Sequence, residues 1–169
     1  KNATSGPYHN YAFNFVYNAA GAVTSMELGN YRYESTAFNS RLQPTQIALG
    51  VTQGSTGLLD LDYTYGTTNN NGNVLSQTIT VPTVGSNPGF TAIQNYAYDN
   101  LNRLASADEK PQGWTDANCT TEPTKCWKQT FVYDRYGNRT FDTTASRTTT
   151  IPTNCPAAVC NPTANTDNR

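Results

Sequence analysis

A short aromatic unit that returns along the chain constrains its fold more than any other feature. Phe15-Val16-Tyr17, Tyr31-Arg32-Tyr33, Tyr63-Thr64-Tyr65, Tyr96-Ala97-Tyr98 and Phe131-Val132-Tyr133 all read aromatic-x-Tyr. Successive second tyrosines are 16, 32, 33 and 35 residues apart. Each is followed by a polar residue or glycine: Asn18, Glu34, Gly66, Asp99 and Asp134. Self-similarity on this length scale marks a chain built from small supersecondary units that bury their apolar faces against their neighbours.

The residues after each unit identify what the unit is. Gly21, Asn102 and Gly137 each stand four positions beyond the tyrosine, and glycine and asparagine tolerate the positive φ of tight turns. In the second and third units the turn reads three residues longer, so that Ser40-Arg41-Leu42 and Gly72-Asn73-Val74 match Asn102-Arg103-Leu104. Strand, polar turn and strand make a β-hairpin. Alternation agrees: in Leu59-Asp60-Leu61-Asp62-Tyr63-Thr64-Tyr65 the apolar and aromatic side chains share one face. Helical periodicity is weak, and Gly, Pro, Asn and Thr would interrupt most helices. The expectation is an all-β chain of tandem antiparallel hairpins.

These signals divide the chain into a lead-in at 1–12, a repeat region at 13–142 and a Thr/Pro/Asn-rich linker at 143–169. Within the repeats, 82–92 and 109–129 read as loop insertions. Lys1 opens the chain without a signal-peptide pattern, so the expectation is a processed chain or a piece of a longer one.

Tyr96-Ala97-Tyr98-Asp99-Asn100-Leu101-Asn102-Arg103-Leu104 resembles the tyrosine–aspartate (YD) repeat, Tyr-x-Tyr-Asp-x-x-Gly-Arg-Leu, and Phe131 to Arg139 resembles it too. The first three units depart from it, with Asn18, Glu34 and Gly66 in place of Asp. The repeat is found in bacterial Rhs proteins, in the cocoon-forming subunits of insecticidal toxin complexes and in teneurins. The resemblance implies that the hairpins pair into a curved or spiralling sheet forming part of a shell or fibre. The self-cleaving Asp-Pro signature of the toxin-bearing members is absent from this sequence. On this reading Tyr17, Tyr33, Tyr65, Tyr98 and Tyr133 form a packing ladder, and Asp99, Asp134, Gly21, Gly72, Asn102 and Gly137 shape the turns.

Composition narrows the function. Charged residues make up 14% of the chain and the net charge is −1, which gives no basic stripe for nucleic acid. No apolar run approaches the roughly 18 residues of a membrane span. Asp99 and Asp134 read better as acceptors for turn amides than as catalytic carboxylates. His9 lacks the partners of a triad, and no residues are marked as ligands of a metal or cofactor. An enzyme is not expected.

Four cysteines, Cys119, Cys126, Cys155 and Cys160, lie in polar segments outside any Cys-x-x-Cys pair. An even number in such loops favours disulfides and an extracellular or cell-surface location. Of three possible connectivities, Cys119–Cys126 and Cys155–Cys160 close the shortest loops. The expected partners are neighbouring repeats or further copies, joined through sheet edges. An alternative is a module binding surface glycans, with Trp114 and Trp127 as ligand-facing aromatics.

Overall fold

The computed structural model describes residues 10–142, and Cys155, Cys160 and the 143–169 linker lie outside them. The fold is all-β, with ten antiparallel strands: β1 Ala12–Tyr17, β2 Val23–Leu28, β3 Arg32–Phe38, β4 Pro44–Gly50, β5 Leu59–Tyr65, β6 Val74–Val81, β7 Phe90–Tyr98, β8 Leu104–Pro111, β9 Trp127–Tyr133 and β10 Arg139–Phe141. Hydrogen-bonded neighbours follow chain order, as expected of hairpins joined in series.

The chain forms two compact units. The first contains described residues 10–64 and 78–91, the second 65–77 and 92–142. In the first unit, Glu27 of β2 lies opposite Phe13 and Tyr33 and is only 8% exposed. Its carboxylate accepts a hydrogen bond from Asn14 Nδ2 at 2.9 Å. Asn14 has a φ of 52° and sits in a bulge of β1, so the buried acceptor holds the extra residue in place. Tyr33 lies across from Glu27 on β3, and polar interaction with that carboxylate, together with partial burial, raises the tyrosine pKa.

The second unit carries the one departure from pure β structure among the described residues. The 109–129 segment is strand at both ends, and between them lie α1 (Asp116–Thr121) and a 3-10 turn at Pro123–Lys125. The sequence of α1, Asp-Ala-Asn-Cys-Thr-Thr, has little helix propensity, and local bonds make up the deficit. Asn118 Oδ1 accepts from both the backbone and the hydroxyl of Thr115, while Lys110 of β8 reaches Asp116 at 2.8 Å. A disulfide joins Cys119 to Cys126, with both cysteines buried.

Among the described residues the buried apolar side chains are Ala48, Ala92, Ala107, Cys119, Cys126 and Phe131, mostly small ones. Apolar burial is a weak source of stability when spread so thinly, and the strand ladders and turns carry correspondingly more. Peptide mapping without reductant should recover Cys119 linked to Cys126. Reduction should cost less than the roughly 3 kcal/mol expected for closing a 15-residue loop. A free thiol at either position would remove the cross-link.

Candidate functional site

The repeated element is a five-residue turn, and among the described residues it occurs four times with one register. Tyr17 pairs with Val23, Phe38 with Pro44, Tyr98 with Leu104 and Tyr133 with Arg139. In each case the first loop residue is Asn or Asp, and its Oδ1 accepts two backbone amides. Asn18 takes those of Ala20 and Ala22; Asn39 takes those of Arg41 and Gln43. Asp99 takes those of Leu101 and Arg103; Asp134 takes those of Tyr136 and Asn138. The same first residue also bonds through its backbone to the fifth, at 2.9–3.2 Å.

The fourth loop residue has positive φ each time: 82° at Gly21, 60° at Leu42, 60° at Asn102 and 87° at Gly137. Glycine and asparagine adopt this region readily. Leucine does so at a cost of roughly 1–2 kcal/mol, which the bonds of the Asn39 turn offset.

The second turn therefore follows Phe38. Tyr33 lies near the start of β3, opposite Gly50, and Leu42 occupies the place that Asn102 fills elsewhere. The turn between β5 and β6 is longer. There Gly72 has a φ of 98°, and Asn70 Oδ1 accepts the Gly72 amide at 3.0 Å.

The second unit joins successive hairpins through their tyrosines. Tyr98 donates its hydroxyl to the Val74 carbonyl at 2.9 Å, and Tyr133 donates to the Leu104 carbonyl at 2.8 Å. Val74 and Leu104 are each the first residue of the strand after the preceding turn. Each staple thus ties the strand end of one hairpin to the turn exit of the hairpin before it.

Arg103 reinforces the second staple. Its Nε binds Asp99 Oδ2 at 2.7 Å, and its guanidinium lies 4.2 Å from the centre of the Tyr133 ring. The aspartate that shapes one turn therefore orients the arginine that covers the next tyrosine. Asn138 replaces the arginine after Asp134 and donates to Oδ2 at 2.7 Å.

Electrostatics follow this geometry. The Arg103 amide and side chain, with the Leu101 amide, hold the Asp99 pKa below the ordinary carboxylate range. Asn138 and nearby turn amides do the same for Asp134. Burial raises the pKa of the Tyr65 and Tyr98 hydroxyls. Tyr33, Tyr65, Tyr98 and Tyr133 are half-buried, whereas Tyr17 is 57% exposed.

Trp114 packs beneath Lys125, whose Nζ lies 5.4 Å from the ring centre, and Trp127 opens β9 opposite Glu109. Among the described residues, no group of three or more His, Cys, Asp or Glu side chains is placed to hold a metal ion. None of their helices is long and apolar enough to cross a membrane.

No protein-family model matches the chain, and no curated protein does. Among solved structures it is similar to a chain of the Photorhabdus luminescens Tc holotoxin pore, at 14% identity and a TM-score of 0.39. The alignment covers 79% of this chain and 8% of that one, so this chain spans under a tenth of its counterpart's length. A likeness of that strength says nothing of what this chain does.

Two outcomes follow from the staples and turns. Tyr98→Phe and Tyr133→Phe should each lose about 1 kcal/mol, or about 2–4 °C in thermal midpoint. Tyr17→Phe should lose nothing, since no such bond engages Tyr17 among the described residues. Equal midpoints for all three variants would show that the staples add no stability.

The turn carboxylates make the second outcome a matter of pH. Their folded pKa values lie below the unfolded value of about 3.9. Their stabilisation is therefore present above that pH and fades as pH falls through the folded pKa. Asp99→Asn keeps an acceptor for the amides but removes the charge. In acid titrations followed by circular dichroism, it should flatten the loss of stability below about pH 4; an unchanged acid limb would contradict this.

Proposed function

We propose that this chain is a non-catalytic building module of a secreted or surface-exposed bacterial protein of the YD-repeat type, forming part of a shell wall or an extracellular fibre. The observation that carries this reading is the repetition of one joint. Tyr98 and Tyr133 make the same hydroxyl-to-carbonyl bond to the hairpin before them. A joint that can recur at every hairpin suits a scaffold that lengthens by repetition.

The carboxylates support a structural role. Asp99 accepts bonds on both oxygens and is held ionised, which makes it a poor proton donor near neutral pH. The Cys119–Cys126 disulfide favours an oxidising compartment, since such bonds persist chiefly outside the cytosol.

The same joint suggests the partner. Tyr17 stands before its turn as Tyr98 and Tyr133 stand before theirs, but it is largely exposed and makes no matching bond among the described residues. A preceding hairpin, from the parent protein or a second copy, would offer it a turn-exit carbonyl. Such a head-to-tail contact is heterologous and would extend an array rather than close a two-fold dimer. Sedimentation at micromolar concentration should show association that grows with concentration and weakens in Tyr17→Ala. A clean monomer in that range would rule out the fibre.

A further inference from the structure

The second unit holds an open groove of about 400 Å³ between the long 66–73 turn and the end of β7. Small-molecule sites typically occupy a few hundred cubic ångströms or more, and this one is large enough for one or two sugar rings. Amides and tyrosine rings make up about half of its lining, with Leu75 and Thr68 beside them. Asn69, Asn71, Asn73 and Asn102 line it together with Tyr96 and Tyr98.

The hydrogen bonds show which groups remain open. Asn102 Oδ1 accepts from Asn71 Nδ2 at 2.6 Å and from Asn73 Nδ2 at 3.3 Å. This ties the long turn to the turn after β7 and leaves the Asn102 amide nitrogen with no acceptor among the described residues. Asn73 Oδ1 is likewise free of donors there, and the exposed Asn69 side chain is engaged by neither kind of bond. The groove therefore presents unfilled donors and acceptors of the amide type, which suit the paired donor and acceptor character of vicinal hydroxyls.

The aromatic wall is already ordered. Tyr96 and Tyr98 lie two residues apart on β7, so they share a face of the strand. The Tyr98 hydroxyl is bound to Val74, and that of Tyr96 to Gln77 and Gln94. A ligand that packs on either ring finds it fixed by these bonds, which lowers the ordering cost of binding. Charge narrows the ligand further. Asp99, the one ionisable group besides the tyrosines that lines the groove, is neutralised by Arg103 and the turn amides. With no cation left unpaired in its lining, the groove has no charge that favours an anionic ligand over a neutral one.

We propose that this groove is a binding site for neutral glycans, with Asn69, Asn73 and Asn102 bonding ring hydroxyls and Tyr96 or Tyr98 packing against an apolar sugar face. This site is independent of the assembly reading, because all of its residues belong to one unit.

The test is a nitrogen-15 correlation spectrum of the full chain, titrated with cellobiose, N,N′-diacetylchitobiose and sialyllactose. One of the two neutral disaccharides should shift the side-chain NH₂ signals of Asn69 and Asn102 at millimolar concentration, and sialyllactose should bind more weakly. Asn69→Ala removes a side chain with no hydrogen-bond partner among the described residues and should weaken binding about tenfold while leaving the thermal midpoint unchanged. Asn102→Gly keeps the positive φ and should weaken it similarly. Unmoved NH₂ signals with both neutral sugars, tighter binding of sialyllactose, or shifts confined to the Trp114 and Trp127 indoles would overturn the proposal.

Discussion

One side-chain oxygen at the head of each five-residue turn governs much of the rest. By accepting two amides, Asn18, Asn39, Asp99 or Asp134 fixes the turn and thereby the pairing of its flanking strands. A one-residue slip would send every side chain of a strand to the opposite face. In Tyr98 and Tyr133 that slip would also carry the hydroxyls away from the carbonyls they bind. Local turn chemistry thus sets a contact between residues 24 or 29 positions apart.

This dependence compensates for a thin core. Three of the buried apolar positions are alanines, and an alanine side chain contributes little burial energy. Specificity must come largely from hydrogen bonds, whose directionality rejects wrong registers even when each contributes only about 1 kcal/mol. The Asp99–Arg103–Tyr133 relay shows how such terms combine: one carboxylate orders its own turn and positions a cation on the next hairpin.

The all-β character was legible because alternation and turn residues are local properties of sequence. The turns after Tyr17, Tyr98 and Tyr133 were legible for the same reason, since each combines a polar head with Gly or Asn at the fourth position. The turn after Phe38 was hidden. Phenylalanine replaces the tyrosine there, and Leu42 holds a conformation that leucine rarely adopts. The tyrosine pattern points instead to Tyr33, which pairs with Glu27 across β2 and β3. The staples were illegible in principle, because a backbone carbonyl carries no mark in the sequence. So was α1, which rests on Asn118, Lys110 and a disulfide rather than on helix-forming residues.

The connections differ in kind along the chain. Those leading into β2, β4, β8 and β10 share the five-residue form, whereas those leading into β3, β5, β7 and β9 run from a tight reversal at Gly29–Tyr31 to the helix-bearing segment after Pro111. Inserted residues in the first class would break an amide-binding turn, whereas the longer turn into β6 stands outside both classes and still leaves the Val74 carbonyl to accept from Tyr98. In the second class inserted residues need only leave and rejoin the sheet at the same two strands. A scaffold of this design can therefore take new surfaces on its second class of connections without rebuilding the joints that hold successive hairpins together.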